Sequence, residues 1–382
     1  MQSGSIEIPV TVVLTQDAVD QITSRGKRPG SVQTVDGGES FGFTTHSIGT
    51  EAMQGMLTRG FLSKIELVSA DPLTLQSSII DLTKLIIYTL LYIRFESDAN
   101  KLVFQSEVIR HWNRTNPSRI IDEKTHFKSA VIAQLLESRK EERDAVQQAV
   151  LAGARTSAVK PEGGSNDDRE RCEQLCRRYF NCVRPSVWYV VLLLFSGEER
   201  EAITQALGGL IGRYASTSEV ADYFAGTLNE LIVYAQHNNM LARAKMQLGT
   251  SVTDAELLGN EPLRRKLIEA MAEHHEELHV VWRIADRAGI TERRRTLSVS
   301  VFNKEYEFQI IRNELHRQMT MKARDLRAYL EQSVQAGGAS DAGLGYLSYL
   351  YDAAQTLGVQ FDSLVRQDER LDFTMITLTL QF

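Results

Sequence analysis

A predicted helix near the middle of the chain carries side chains suited to phosphate or metal chemistry. Apolar residues recur every three and four positions from Thr217 to Asn239, which indicates an amphipathic helix. Within it, Asn229 and Glu230 place an amide beside a carboxylate, and Tyr234 follows one turn later and would face the same cleft. A carboxylate in such a cleft can orient a hydroxyl group or accept its proton. Glu230 is therefore a candidate catalytic residue, with an exposed helical glutamate as the alternative interpretation.

A glycine pair near the C-terminus is suited to phosphate binding. Gly343 and Gly345 flank Leu344 and come directly before a predicted apolar helix from Tyr346 to Leu357. Glycines let the backbone approach phosphates, and the free amides and positive dipole end of a helix attract anions. The alternative is a glycine turn that starts the helix without any ligand.

A second candidate motif would bind zinc. His275, Glu276 and His279 fit the pattern His-Glu-x-x-His, which on a helix puts two imidazoles on one face and a general base beside them. Glu273 and Glu277 flank the motif with charge, and no downstream residue has the placement of a third ligand. We therefore favour a solvated helical face and expect no metal, with a zinc metallopeptidase kept as an alternative.

Charge and hydropathy exclude several classes of protein. The net charge is −6 and no basic arm is present, so we expect no nucleic-acid partner. The most apolar run, Leu85 to Ile93, is about half of the roughly 20 residues that a membrane span needs. The first residues lack the charged and apolar regions of an export signal, and the three cysteines are an odd number, which fits a reducing compartment. These features predict a cytoplasmic protein without a membrane span.

A polar stretch at 152–168 predicts a flexible linker between two domains. It contains Gly, Pro and Ser and has no apolar periodicity. We predict a separate α+β domain of unknown type over residues 1–151 and a second domain over 169–382.

Several elements of these domains have recognisable patterns. The strongly apolar run from Leu73 to Phe95 predicts a core helix, and the continuous run from Ser186 to Phe195 predicts a buried strand. Charged helical patterns, including Glu261 to Ile284, predict a helical insertion at about 241–292. The run from Arg295 to Arg312 predicts two strands around the turn Asn303-Lys304.

The order of elements in the C-terminal half resembles a known ATP-binding fold. A helix with Asn-Glu-Leu at 229–231, a strand pair, Gly-Leu-Gly at 343–345 opening a helix, and an alternating final run at 371–380 follow one another. This order resembles the GHKL fold of histidine kinases and anti-sigma kinases. Within that superfamily the sequence is similar to the SiaB-type subgroup, small serine/threonine kinases of bacterial partner-switching systems. The likeness spans about Val187 to Phe382 and implies an α/β sandwich with helices on one face of a mixed sheet.

The resemblance also implies roles for single residues. In the family, a glutamate at the position of Glu230 orients or deprotonates the attacking group, and an asparagine at the position of Tyr234 binds Mg²⁺. A phenol is a poor ligand for this hard cation, so the chain is identified as a degenerate member. Asn313 stands where the family has an adenine-binding aspartate, and Thr377 or Thr374 would contact the base. The implied nucleotide-binding residues are Asn229, Tyr234, Asn313, Gly343, Gly345 and Thr377.

The implied function is regulatory. ATP and Mg²⁺ are the implied ligands, and the implied partners are a STAS-domain anti-sigma antagonist and a SpoIIE-type phosphatase. We expect a degenerate kinase, or pseudokinase, that acts through protein contacts rather than as an enzyme. An active serine/threonine kinase of the SiaB type is the alternative within the family.

Overall fold

Strands and helices are found in both the N-terminal and the C-terminal parts of the described chain. A computed structural model describes residues 4–35, 37–158, 166–249, 257, 259–288, 293–303, 345–368 and 373–382. The strands are β1 Ser5–Leu14, β2 Ser31–Gln33, β3 Glu39–Gly49, β4 Leu62–Ser69, β5 Leu278–Ala288, β6 Arg293–Asn303, β7 Gln360–Asp368 and β8 Phe373–Gln381. The helices are α1 Gln16–Ser24, α2 Thr50–Thr58, α3 Gln76–Phe104, α4 Glu107–Thr115, α5 Ser129–Ser138, α6 Lys140–Ala158, α7 Asn166–Asn181, α8 Pro185–Leu194, α9 Gly197–Thr217, α10 Glu219–Leu248, α11 Glu261–Glu273 and α12 Gly345–Leu357.

The strands form one eight-stranded sheet in the order β2-β3-β1-β4-β5-β6-β8-β7. Each pair of neighbours is antiparallel. β4 comes from the N-terminal part of the chain and β5 from the C-terminal part, and they pair at the centre of the sheet with Ile65 opposite Trp282. The combination of helices with a sheet confirms the predicted α+β class, whereas the predicted mixed sheet is wrong, because every described strand pair is antiparallel.

One face of the sheet, called the inner face here, carries apolar side chains toward α3. The buried residues Trp282, Val299 and Leu378 are register partners on β5, β6 and β8 and so share this face. The indole Nε1 of Trp282 donates a hydrogen bond of 3.0 Å to Thr83 Oγ1 on α3. The opposite, outer face carries polar side chains such as Ser300. The alternation of apolar and polar residues in these strands therefore fixes which side chains meet the helices.

The predicted core helix at 73–95 is confirmed by α3. It follows a 3₁₀ turn at Pro72–Leu75 and extends to Phe104. Its residues Leu82, Ile86 and Leu90 are buried, four positions apart on one face. In the described part of the chain, no helix is both long enough and apolar enough to cross a membrane.

The chain forms two compact units. The sheet unit consists of Met1–Leu90 with Val220–Phe382, and the helical unit consists of Leu91–Glu219. This division differs from the predicted boundary at 152–168, because the pairing of β4 with β5 joins strands from both predicted domains in one sheet. The first part of the predicted linker belongs to α6, which continues to Ala158, and residues 159–165 lie outside the described part.

Helices α6 and α9 pack closely in the helical unit. A Cβ atom on Gly208 would lie 2.8 Å from the carbonyl oxygen of Val150, and one on Gly212 would lie 2.8 Å from that of Ala154. Both glycines are buried on α9. The absence of a side chain at these two positions lets the two helix backbones approach each other.

The predicted strand from Ser186 to Phe195 is wrong, because these residues form helix α8. The helix begins at Pro185, whose fixed φ angle suits the first position of a helix. Val187 and Val191, one turn apart, are both buried. A continuous apolar run does not distinguish a buried strand from a buried helix, since neither pattern leaves a polar face.

The predicted helix from Glu261 to Ile284 is wrong beyond Glu273, where α11 ends. The predicted helical insertion at 241–292 thus contains strand β5, in which Val280 and Trp282 are fully buried. β5 pairs with β6, so the hairpin precedes the predicted turn at Asn303-Lys304, and residues 304–312 lie outside the described part.

Candidate functional site

Helix α10 carries Glu230 and is held in place within the sheet unit by two polar contacts. Near its start, Asp222 Oδ1 lies 2.9 Å from Lys84 Nζ of α3. Further along, Gln236 Nε2 donates a hydrogen bond of 2.8 Å to the carbonyl oxygen of Ala70. The stretch between these contacts buries its apolar side chains, including Leu228 and Leu231. The predicted amphipathic helix is confirmed from Glu219 onward, whereas Thr217 is the last residue of α9. Glu230 lies between the two polar contacts.

Helix α12 packs on α10 close to Glu230. The rings of Tyr223 and Tyr349 stack with their centroids 5.8 Å apart. One turn along α10, a Cβ atom on Gly226 would lie 2.9 Å from the ring of Tyr346, so the ring occupies the space that the glycine leaves. These two contacts bring the first turn of α12 to the position on α10 that carries the carboxylate.

Glu230 contacts the N-terminus of α12. Its Oε2 accepts a hydrogen bond of 3.3 Å from the backbone amide of Tyr346, which directly follows Gly345. The amides of a first helical turn have no partner within the helix, and a carboxylate there is favoured by the helix dipole. Glu230 therefore already accepts the hydrogen bond of an amide that a bound phosphate would otherwise use. The structure brings Glu230 and Gly345 together, whereas Gly343 lies outside the described residues.

The other predicted residues of α10 lie beside Glu230. Tyr234 follows it by one helical turn, and positions four apart share a helix face. Asn229 is about 100° further round the helix. All three side chains are half-buried. The structure thus groups Glu230 with Tyr234 on one face and sets Asn229 to the side.

The predicted residues of the final strand fall on different faces of the sheet. Thr377 lies on the outer face, where its Oγ1 is 2.8 Å from Ser300 Oγ. Thr374 lies on the inner face and is 1% exposed. Because α3 packs on the inner face and contacts α10, the structure groups Thr374 rather than Thr377 with the helices.

The end of β6 lies beside the start of β8. Asn303 is the last residue of this strand, and its register partner is Thr374. The predicted adenine-binding Asn313 lies outside the described residues. The regular alternation of Leu297, Val299 and Val301 ends at Asn303, where the predicted turn Asn303-Lys304 begins.

The zinc motif does not lie on a helix. α11 ends before His274, His275 has a φ angle of 55°, and β5 begins at Leu278. His279 therefore lies in a strand, where burial lowers its pKa against the opposing influence of Glu277 and Glu66. Two imidazoles separated by a helix end and a turn do not share one helix face. Among the described residues, no three His, Cys, Asp or Glu side chains are grouped to hold a metal ion.

The whole chain matches a known family. Residues 1–382 fit the model of a family of unknown function (DUF8084). The chain belongs to DUF8084. An uncharacterized protein of Treponema pallidum (strain Nichols) is 24% identical over 381 residues, which are 99% of the DUF8084 chain and 98% of that relative. No solved structure matches the chain. The likeness to the Treponema protein extends over both compact units, since it covers almost the full length of each chain.

Proposed function

We propose that this DUF8084 protein is a regulatory member of the GHKL-like proteins, a degenerate kinase of a bacterial signalling system that acts by binding protein partners. The order α10, α11, β5, β6, α12, β7, β8 contains the helix, the strand pair, the glycine-led helix and a closing strand in the sequence expected of that fold, with α11 and a second closing strand in addition. The observation that carries the proposal is the contact of Glu230 with the amide of Tyr346. It joins the candidate acid and the glycine-led helix, which are 116 positions apart in the sequence.

Two features of this contact favour binding over catalysis. The carboxylate of Glu230 accepts a hydrogen bond from the amide of Tyr346, at the helix N-terminus where a triphosphate would need positive potential. A phosphate in the same place would also be repelled by the carboxylate, because like charges at short range oppose each other strongly in a partly buried site. Tyr234, one turn away, offers a phenol where an active kinase would offer a metal ligand. We therefore propose weak binding of ATP and Mg²⁺ and no phosphoryl transfer.

The proposed partners are those of partner-switching systems: a STAS-domain anti-sigma antagonist and a SpoIIE-type phosphatase. In this scheme, the surface of α10 and α12 responds to nucleotide and changes the affinity for the partner. The proposal includes a reducing, cytoplasmic location, as the cysteine content predicted.

The test compares ATP binding by the wild-type protein and by Glu230→Gln. Calorimetric titration with ATP, with and without Mg²⁺, measures both affinities. Glu269→Gln on α11 is a matched control, because Glu269 is exposed and lies in the same unit. We expect Glu230→Gln to bind ATP more tightly than the wild type, since a neutral amide removes the repulsion, whereas Glu269→Gln should not differ from the wild type.

Phosphoryl transfer decides between the pseudokinase and an active kinase. Wild-type protein incubated with Mg²⁺-ATP and a STAS-domain protein should leave the serine and threonine residues of the partner unmodified. Transfer that Glu230→Ala abolishes would establish the active SiaB-type kinase instead. Equal and undetectable nucleotide binding by the wild type and Glu230→Gln would overturn the nucleotide-dependent part of the proposal.

A further inference from the structure

The helical unit contains a cleft between α3, α5 and the start of α8. Its volume is about 510 Å³, within the range of small-molecule sites. Most of its wall is apolar. The apolar lining residues are Phe104, Phe127, Ile132, Ala133, Leu136 and Pro185. Such a wall suits a ligand with an apolar body.

A buried amide lines this cleft. Asn100 on α3 is 7% exposed. Among the described residues, no group makes a hydrogen bond with its side chain, and its amide atoms are not fully buried but lie at the wall of the cleft. An amide at the wall of a cleft must find its hydrogen-bond partner in whatever fills that cleft, water or ligand, because leaving it without one costs free energy. An unpartnered asparagine facing a cleft therefore indicates a polar group that a ligand would supply.

The start of α8 lies next to this amide. Glu96 and Asn100 are four positions apart on α3 and share a helix face, and Arg184 at the N-cap of α8 forms an ion pair with Glu96. No side chain caps α8, and Pro185 occupies its first turn. Ser186 follows in the first turn, where helix amides have no intrahelical partner. The Arg184 side chain is 51% exposed and keeps guanidinium donors available beyond its bond to Glu96. Glu96 offsets part of the charge of Arg184, so what this end of the cleft offers to an anionic group is the free amides of the first turn of α8 and the exposed edge of the guanidinium.

Helix α5 forms the opposite wall and is unusually apolar for its exposure. Its sequence SAVIAQLLES is rich in aliphatic residues, yet none of them is buried. Ile132 and Leu136 lie one turn apart and line the cleft. Phe127, just before the helix, packs its ring against Tyr189 at 5.0 Å between centroids, which fixes the base of this wall. A bound apolar chain would cover Ile132 and Leu136 and gain the free energy of that burial.

We propose that this cleft binds a small amphipathic carboxylate, with the carboxylate between Asn100, Arg184 and the start of α8, and the apolar chain along α5. Glu123 also lines the cleft, but its carboxylate is exposed and accepts a hydrogen bond of 2.8 Å from Gln105 Nε2. It therefore lies at the solvent side and does not compete for the buried amide.

The test uses octanoate as the probe, with 1-octanol and octylamine as neutral and cationic matches. Isothermal titration of the full chain measures each affinity. Asn100→Leu removes the amide but keeps the branched outline of its heavy atoms, and Arg184→Gln removes the charge. Asn181→Leu and Arg177→Gln are matched controls, because Asn181 is exposed and Arg177 is an exposed arginine that is ion-paired with Glu173.

We expect octanoate to bind more tightly than either match. Asn100→Leu and Arg184→Gln should each weaken octanoate binding about tenfold, as the loss of a hydrogen bond to a charged group does. The two controls should bind like the wild type. Equal binding of all three probes, or octanoate binding that neither cleft variant changes, would overturn the proposal. Absence of octanoate binding to a wild-type protein that melts cooperatively would overturn it as well.

Discussion

Three glycines of α9 provide a sharp test of the packing in the helical unit. Gly208 and Gly212 face α6, whereas a Cβ atom on Gly209 would meet no atom within 4 Å. All three lie in the same helix, so the gain in helix propensity from a change to alanine is the same at each position. Alanine substitution at the three positions therefore separates the steric effect of the added Cβ atom from the gain in helix propensity.

The expected changes in stability follow from the distances between the added Cβ atoms and the atoms of α6. On Gly212, a Cβ atom would lie 2.7 Å from Ser157 Cβ and 2.8 Å from the carbonyl oxygen of Ala154, shorter than an ordinary contact by more than half an ångström. Overpacking of this kind destabilises a protein by about 1–3 kcal/mol, whereas the higher helix propensity of alanine over glycine stabilises it by about 0.5–1 kcal/mol. We expect Gly212→Ala and Gly208→Ala each to destabilise the protein by about 1–2 kcal/mol. Gly209→Ala should stabilise it by about 0.5–1 kcal/mol.

Urea unfolding followed by far-ultraviolet circular dichroism measures these differences. The slope of the unfolding free energy against urea should not change, because the same surface is exposed on unfolding. The double variant Gly208→Ala/Gly212→Ala should lose less than the two single losses together, since both positions press on Ala154 and one separation of the helices relieves both. If Gly208→Ala and Gly212→Ala were as stable as Gly209→Ala, α6 and α9 would not pack as described.

Three further changes test other contacts by urea unfolding. Thr83→Val should cost about 1–3 kcal/mol, because it leaves the buried indole N–H of Trp282 without its acceptor; an unchanged midpoint would contradict this bond. Tyr214→Phe should cost about 1–2 kcal/mol, since its hydroxyl donates a hydrogen bond of 2.6 Å to the carboxylate of Asp98, and no loss would show that the bond does not form. Burial lowers the pKa of His279, so below about pH 6.5 the unfolded chain binds more protons than the folded protein and stability falls as the pH falls. His279→Gln should therefore lose less stability than the wild type between pH 7.5 and 5.5, and an identical loss would refute this reasoning.

Local sequence patterns predicted those elements whose pattern is typical of only one kind of secondary structure. The helices at Gln76–Phe104 and Glu219–Leu248 were predictable, because their apolar residues repeat at helical spacing over several turns. β5 was not, because Val280, Val281 and Trp282 follow one another and interrupt the alternation expected of a strand, directly after a charged helix. α8 was not, because an apolar run of ten residues has no polar face to reveal its period.

The candidate site was predictable only in part. Glu230 and the start of α12 were singled out by residue type, and the structure places them in contact. Their contact depends on Gly226 and Tyr346, whose packing no local pattern encodes. The choice between Thr374 and Thr377 depended on the register of β8, since a shift of one residue moves a side chain to the other face. Pairings between distant strands, such as that of β4 with β5, leave no trace in a single sequence.

Because the sheet unit consists of two separate segments of the chain, its two parts are synthesised at different times. Leu91–Glu219 is continuous, so every residue that it needs has left the ribosome before Val220 does. β4, by contrast, pairs with β5, which is synthesised more than two hundred residues later. Until then the edge of β4 that faces β5 has no partner strand, and an unpaired edge of this kind is prone to pairing with another nascent chain.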